Sequence, residues 1–374
     1  MIELSLIELL KRLLNLRTKQ TLKLERTVMK INFKMWGHAL WNLVKMDSKE
    51  EWEDLDLISK WLIATRSAVT MVTIYSCVIA GLLAWRDGYF SWLPWLIVTL
   101  GLFIAHGTNN LLNDYTDYSR GVDEDNYFRT AYGVHPLVQK FWTKGQQLIW
   151  FVLSGLLAVA AGIYALLFTN FSPIILGLFA FGALILIFYT WPLKYLGLGE
   201  LLIFLIWGPI MIGGVYLVLS KGWADTAWLV ALAGSSFGLS VVSINIGKHI
   251  DKSEEDRLKK VGTLPVRIGE KASRYLNIIV MILIYLVIIY LVFIPRYFTP
   301  AMLIILLAVK RLILAIRVHT QPKPQEPPEE FEYWPTWFAA FAFYHNRALG
   351  GLLILGLISD ALLRVFLPGF WPMS

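Results

Sequence analysis

The chain has 374 residues, 57% hydrophobic, 14% aromatic and 16% charged, with a formal net charge of +7. Soluble domains carry about 25% charged residues, so this composition excludes a water-soluble globular protein and predicts an all-α polytopic membrane protein. The single cysteine, Cys77, lies in an apolar run and excludes an intrachain disulfide. Residues 1–60 alternate leucines with basic side chains at helical spacing. They read either as an interfacial helix on anionic lipid or as a solvated leader, with Met29 and Met35 as alternative starts; no cleavable signal is recognisable. A transmembrane domain is expected over 61–366. About 20 predominantly apolar residues make a span, and nine are expected near 62–84, 92–113, 146–168, 173–190, 200–219, 227–246, 275–294, 300–317 and 349–366. A Pro- and Glu-rich connector, 318–334, cannot be helical throughout. Aromatic, membrane-skimming sequence follows it, and 367–374 form a short tail.

With the N-terminus inside, inner segments hold 29 Lys and Arg and outer segments hold four. This bias predicts that the N-terminus and the loops after 92–113 and 227–246 are cytoplasmic. Basic charge is therefore a matter of topology, and no nucleic-acid partner is implied.

Both of those loops open on acidic groups. In "NNLLNDYTDYSRGVD", Asn110 and Asp114 are four apart, as are Asn113 and Asp117, so each pair shares a helix face. Hard divalent cations take oxygen ligands, and Mg²⁺ commonly joins one or two carboxylates to substrate phosphates. The plain alternative is a solvated polar helix end. A second acidic stretch, "INIGKHIDKSEEDRLKKVGTLPVRIGE", carries Lys248, Asp251 and Glu255 on one face. Asn245, His249, Lys252 and Asp256 lie on the next. Two such ends on one membrane side, rimmed by lysines and arginines, suit cations holding a diphosphate between carboxylates. A transporter or channel would instead concentrate polar groups near the bilayer midplane.

These stretches resemble the UbiA superfamily of intramembrane prenyltransferases, and within it the 1,4-dihydroxy-2-naphthoate prenyltransferases of menaquinone synthesis. Asn113, Asp114, Asp117, Gly121 and Asp123 match the first signature. "FYTWPLKYLGLGE" and "GTLPVRIGE" match two further blocks. The second signature departs from the branch pattern. Aligned from Asn245, Lys248 stands where the branch has Arg and His249 where it has Asp, while counting back from Thr263 places Asp256 at the last Asp. An insertion of about three residues leaves Asp251, Glu255 and Asp256 as rival ligands. His249 is disfavoured, because Mg²⁺ prefers oxygen.

The resemblance implies an Mg²⁺-dependent transfer of a polyprenyl group from polyprenyl diphosphate to an aromatic acceptor, releasing diphosphate. It implies metal ligation by Asn113, Asp117, Asp123, Asp251, Glu255 and Asp256. Asp114, Asp117, Lys194 and Tyr189 would serve the chemistry; Arg66, Asn110, Asn245, Lys248, Arg257 and Lys260 would bind substrate. The expected acceptor is a quinone precursor such as 1,4-dihydroxy-2-naphthoate, with 4-hydroxybenzoate, homogentisate, a tetrapyrrole or a lipid as the alternative. His345, Asn346 and Arg347 read as acceptor-positioning groups or as an interfacial cap, and His106 as a buried histidine or a cavity-facing one.

Overall fold

The computed structural model describes residues 31–46, 48–123, 133–329 and 331–373. The basic stretch 1–30 lies outside them. Among the described residues every regular element is a helix. Eight helices are long and apolar enough to cross a membrane: Ser67–Arg86, Trp92–Ser119, Lys144–Phe168, Pro173–Leu196, Gly199–Leu219, Ala227–Asp251, Glu270–Phe293 and Trp337–Phe366. They are called the first to eighth spans below.

The expected span at 300–317 is helical but departs from a simple crossing. It begins as a 3₁₀ helix, Pro300–Ala308, and continues as an α-helix, Val309–Thr320. Lys310, Arg311 and Arg317 fall within it and lower its apolar character. The sequence placed the last span at 349–366, whereas the helix starts at Trp337 and runs 30 residues. The stretch expected to skim the membrane is thus its opening turns. In its described residues the connector is irregular over 321–329 and 331–336, as its prolines require.

Local chemistry sets the boundaries. Thr143 and Gln146 form a reciprocal capping box at the start of the third span. Asp56 caps the short helix Leu57–Ala64 by accepting the Ile58 and Ser59 backbone N–H groups, both at 3.0 Å. Burial works to raise the Asp56 carboxyl, but the bonds from Ser59 and Trp36 hold it below the ordinary value. Arg66 adopts a left-handed conformation (φ 55°) and separates this helix from the first span. Prolines break the fourth span at Pro192 and the fifth at Pro209. At the second break a Cβ on Gly234 would lie 2.9 Å from the Gly208 carbonyl oxygen. Only glycine lets the fifth and sixth spans touch there.

The second span has 28 residues, about 42 Å of helix, against a hydrocarbon core of about 30 Å. Its excess length is enough to carry the Asn113–Ser119 turns past an apolar slab of that thickness. The core gathers at the opposite end, where Met281, Ile284, Ile288 and Leu291 of the seventh span pack with Tyr297, Phe298 and Met302. A buried polar knot locks that end. Arg86 is bonded to Asp87 (2.7 Å) and Asp360 (3.1 Å) and lies 4.1 Å from the centre of the Tyr297 ring. Tyr216 donates to Asp87 at 2.8 Å, and the Thr299 N–H donates to Asp360 at 2.6 Å.

Removing one partner of a buried pair strands the other charge, at a typical cost of about 3–5 kcal/mol. Asp360→Ala should therefore lower the unfolding midpoint in detergent markedly, while Asp360→Asn loses less. The helical content of the surviving folded fraction, followed by circular dichroism, should be unchanged in both variants.

Candidate active site

The second span presents its polar face to a cavity of about 2020 Å³ that runs between the spans. Asn109, Asn110, Asn113 and Asp117 recur at helical spacing along that wall. The Asn109 and Asn110 amides brace neighbouring chain, donating to the Leu186 and Thr65 carbonyls at 2.9 and 2.8 Å. Asn113 accepts from the Thr190 hydroxyl at 3.2 Å. Asp117 receives Lys194 Nζ at 2.7 Å and the Tyr195 hydroxyl at 3.3 Å. Tyr189 lines the same wall.

Asp114 is turned one position round the helix and does not reach the cavity. It is fully buried and pairs with Arg66 at 3.0 Å, and Arg66 itself lines the cavity. Asp114, expected to serve the chemistry, is thus placed behind the cavity wall, against Arg66. Asp123 does reach the cavity and is bonded to His135 Nε2 at 3.0 Å. Ligand atoms of Asp114, Asp123 and His135 lie within 4.8 Å of one another. The Arg66 guanidinium stands on Asp114 of that trio.

The facing wall comes from the end of the sixth span and the loop beyond it. Asn245, Lys248, His249, Lys252 and Asp256 line the cavity. Asp256 is 4% exposed; it accepts from Lys252 at 2.7 Å and from the Thr263 hydroxyl at 3.0 Å. Burial works to raise the Asp256 carboxyl, but the adjacent Lys252 charge holds it below the usual carboxylate range. His249 shares a bond with Glu200 (2.6 Å), which also accepts the Leu264 N–H at 3.2 Å.

Four expected residues do not join this wall. Asp251 accepts the Phe338 and Ala339 N–H groups at 3.0 and 2.9 Å and so caps the start of the eighth span. An acid there satisfies orphan helix donors, which is why the first of the rival ligands is spent elsewhere. Glu255, Arg257 and Lys260 are exposed and lie outside the cavity lining. His345 is buried against the Tyr285 hydroxyl (2.8 Å), whereas Asn346 and Arg347 line the cavity.

The two walls are tied together. Lys259 donates to the Val122 carbonyl at 2.7 Å, linking the second acidic loop to the first. Arg267 donates to the Gly262 and Tyr195 carbonyls, both at 3.0 Å. A Cβ on Gly262 would collide with the Tyr195 carbonyl oxygen, which explains the glycine opening "GTLPVRIGE". Sequence reasoning missed Tyr195, His135 and Thr263 as partners of the acids and Thr190 as the partner of Asn113, because chain-distant contacts leave no periodic trace. Lys252 was legible: it stands four residues before Asp256, one helical turn away.

Asn113, Asp117, Asp123 and Asp256 thus offer oxygen donors to one cavity. A hard cation fits such a donor set, with three carboxylates and one amide and no thiolate.

A profile of the UbiA prenyltransferase family matches residues 74–357, well over half of the chain. The chain belongs to the UbiA prenyltransferase family. It is 27% identical over 227 residues to the 1,4-dihydroxy-2-naphthoate octaprenyltransferase of Escherichia coli, covering 59% of this chain and 72% of that one. It is 26% identical over 226 residues to UbiA prenyltransferase domain-containing protein 1 of Dictyostelium discoideum, covering 57% and 66%. Among solved structures, a UbiA homologue from Archaeoglobus fulgidus bound to GPP and Mg²⁺ is similar, with a TM-score of 0.47 and 12% identity. That likeness covers 78% of this chain and 99% of the homologue.

The capping role of Asp251 makes a separable prediction. Asp251→Ala should cost about 1–2 kcal/mol, as helix caps do, visible as a lower unfolding midpoint. Binding of Mn²⁺ with diphosphate, followed by electron paramagnetic resonance, should stay within about twofold of the parent.

Proposed function

We propose that this UbiA-type prenyltransferase moves a polyprenyl group from its diphosphate to an aromatic quinone precursor such as 1,4-dihydroxy-2-naphthoate. One observation carries the reading: two acids distant in the chain, Asp117 of the second span and Asp256 of the segment after the sixth, line one cavity that continues as an apolar trench between the spans. A diphosphate head needs the first part and an isoprenoid tail needs the second. The names of the relatives in Escherichia coli and Dictyostelium discoideum support the same class. The excess of Lys and Arg on this side supports a cytoplasmic mouth.

In this reading Asn113, Asp117, Asp123 and Asp256 hold Mg²⁺. When bound, Mg²⁺ supplies Lewis-acid neutralisation of the leaving diphosphate. Lys194, Lys248, Lys252 and Arg66 surround the diphosphate oxygens and orient them. The allylic C–O bond breaks with its electron pair leaving on diphosphate. An electron-rich ring carbon then bonds to the allylic carbon, its C–H bond breaks, and the proton passes to the released diphosphate as the ring regains aromaticity. Apolar walls keep water from the allyl cation, and the Tyr189 ring face stabilises its charge.

The test uses the purified protein in lipid nanodiscs, labelled polyprenyl diphosphates and a panel of aromatic acceptors. Transfer should stop on chelation of Mg²⁺ and return with its addition. Asp117→Asn and Asp256→Asn should each lower it on the order of 100-fold or more, the scale of losing one preorganised electrostatic group. Diphosphate release that ignores chelation and survives Asp117→Ala would overturn the mechanism.

A further inference from the structure

Deep in the apolar part of the cavity sits one polar cluster that diphosphate chemistry does not use. His106 lies on the second span, eleven residues before Asp117, about 16 Å along the axis. It lines the cavity among Val72, Leu102, Trp207 and Met211. Behind it, Thr73 of the first span is fully buried. The Trp207 indole N–H donates to the Thr73 hydroxyl oxygen at 3.2 Å, and that oxygen lies 2.9 Å from His106 Nδ1. The imidazole and indole ring centres are 4.9 Å apart.

These bonds assign the tautomer. An indole is a donor only, so the Thr73 oxygen acts as acceptor towards Trp207. Its own proton then has one recipient among the described residues, His106 Nδ1. Unlike Thr65 and Thr108, Thr73 makes no bond to the preceding turn of its helix. With Nδ1 accepting, the proton of the neutral ring sits on Nε2. Among the described residues Nε2 has no protein partner, and it is not one of the sealed, unsatisfied polar atoms. An N–H donor open to an apolar cavity gains by meeting an acceptor atom there.

We infer that His106 Nε2–H binds an oxygen of the aromatic acceptor, with the Trp207 ring as the flat surface beside it. This rests on the prenyl-transfer reading and deepens it by assigning the second substrate a place. The isoprenoid tail carries no oxygen, so a donor at this depth has no use for it. An aromatic phenol, quinol or carboxylate has one, at the end of the ring remote from the diphosphate. Thr73 and Trp207 are positioning residues, since they fix the imidazole proton and plane.

The experiment measures steady-state transfer at varied acceptor and at varied prenyl diphosphate, together with equilibrium binding of labelled acceptor to protein in nanodiscs. His106→Leu should raise the acceptor KM and weaken acceptor binding about tenfold, leaving the prenyl diphosphate KM within twofold. His106→Gln, which keeps a donor, should recover most of the loss. Thr73→Val should give a smaller shift in the same direction. His106→Phe serves as the second donor-free variant should the leucine form fail to fold. Acceptor affinity equal to the parent in a folded donor-free variant overturns the inference. So does a parallel rise in the prenyl diphosphate KM, or a changed preference for chain length alone. If the parent transfers to no aromatic acceptor, the underlying reading has failed; if the parent transfers and His106→Leu matches it, only the inference has.

Discussion

A carboxylate beside hydrocarbon persists only when a cation stands against it, because an unmatched buried charge costs more than a single contact returns. Three acids of the second span and the second acidic loop obey this. Asp117 has Lys194, Asp114 has Arg66 and Asp256 has Lys252. The pairing dictates where the chain can place its loops. Lys194 must reach back from the broken end of the fourth span, and Lys252 must stand one turn ahead of its acid. Charge balance thus fixes the geometry of both walls before any substrate is considered. The same rule explains the far end, where Arg86 of the first span stands between Asp87 and Asp360 and ties that span to the eighth.

Much of this was readable from the residues. The apolar runs placed the spans, and the spacing of Asn113 and Asp117 placed two oxygen donors on one helix face. Hydropathy misjudged the breaks, because Trp191–Pro192 and Gly208–Pro209 interrupt helices inside runs that stay uniformly apolar. It also misjudged the last span. Residues 337–348 carry His345, Asn346 and Arg347, yet they stay helical because the polar groups find partners: His345 meets Tyr285, and Asn346 bonds with Ser240 and Ser243.

The second acidic loop was the hardest part to read. Asp251, Glu255 and Asp256 are chemically alike, and helical phase alone cannot say which one the backbone of a distant helix will claim. The Phe338 and Ala339 N–H groups claim Asp251, and Asp256 is left to the cavity. Asp256 in turn depends on Thr263, so the block "GTLPVRIGE" supports the acid as well as closing the loop.

The length of the second span has a consequence for the host membrane. Because its 28 residues overshoot the hydrocarbon, the level of Asn113 and Asp117 is set by where the lipid headgroups begin. Hydrophobic mismatch costs fractions of a kcal/mol per ångström, so a thicker bilayer draws these polar turns inward and a thinner one lifts them towards water. Sterol content, acyl-chain length and temperature thereby become determinants of how well hydrated the mouth of the cavity is.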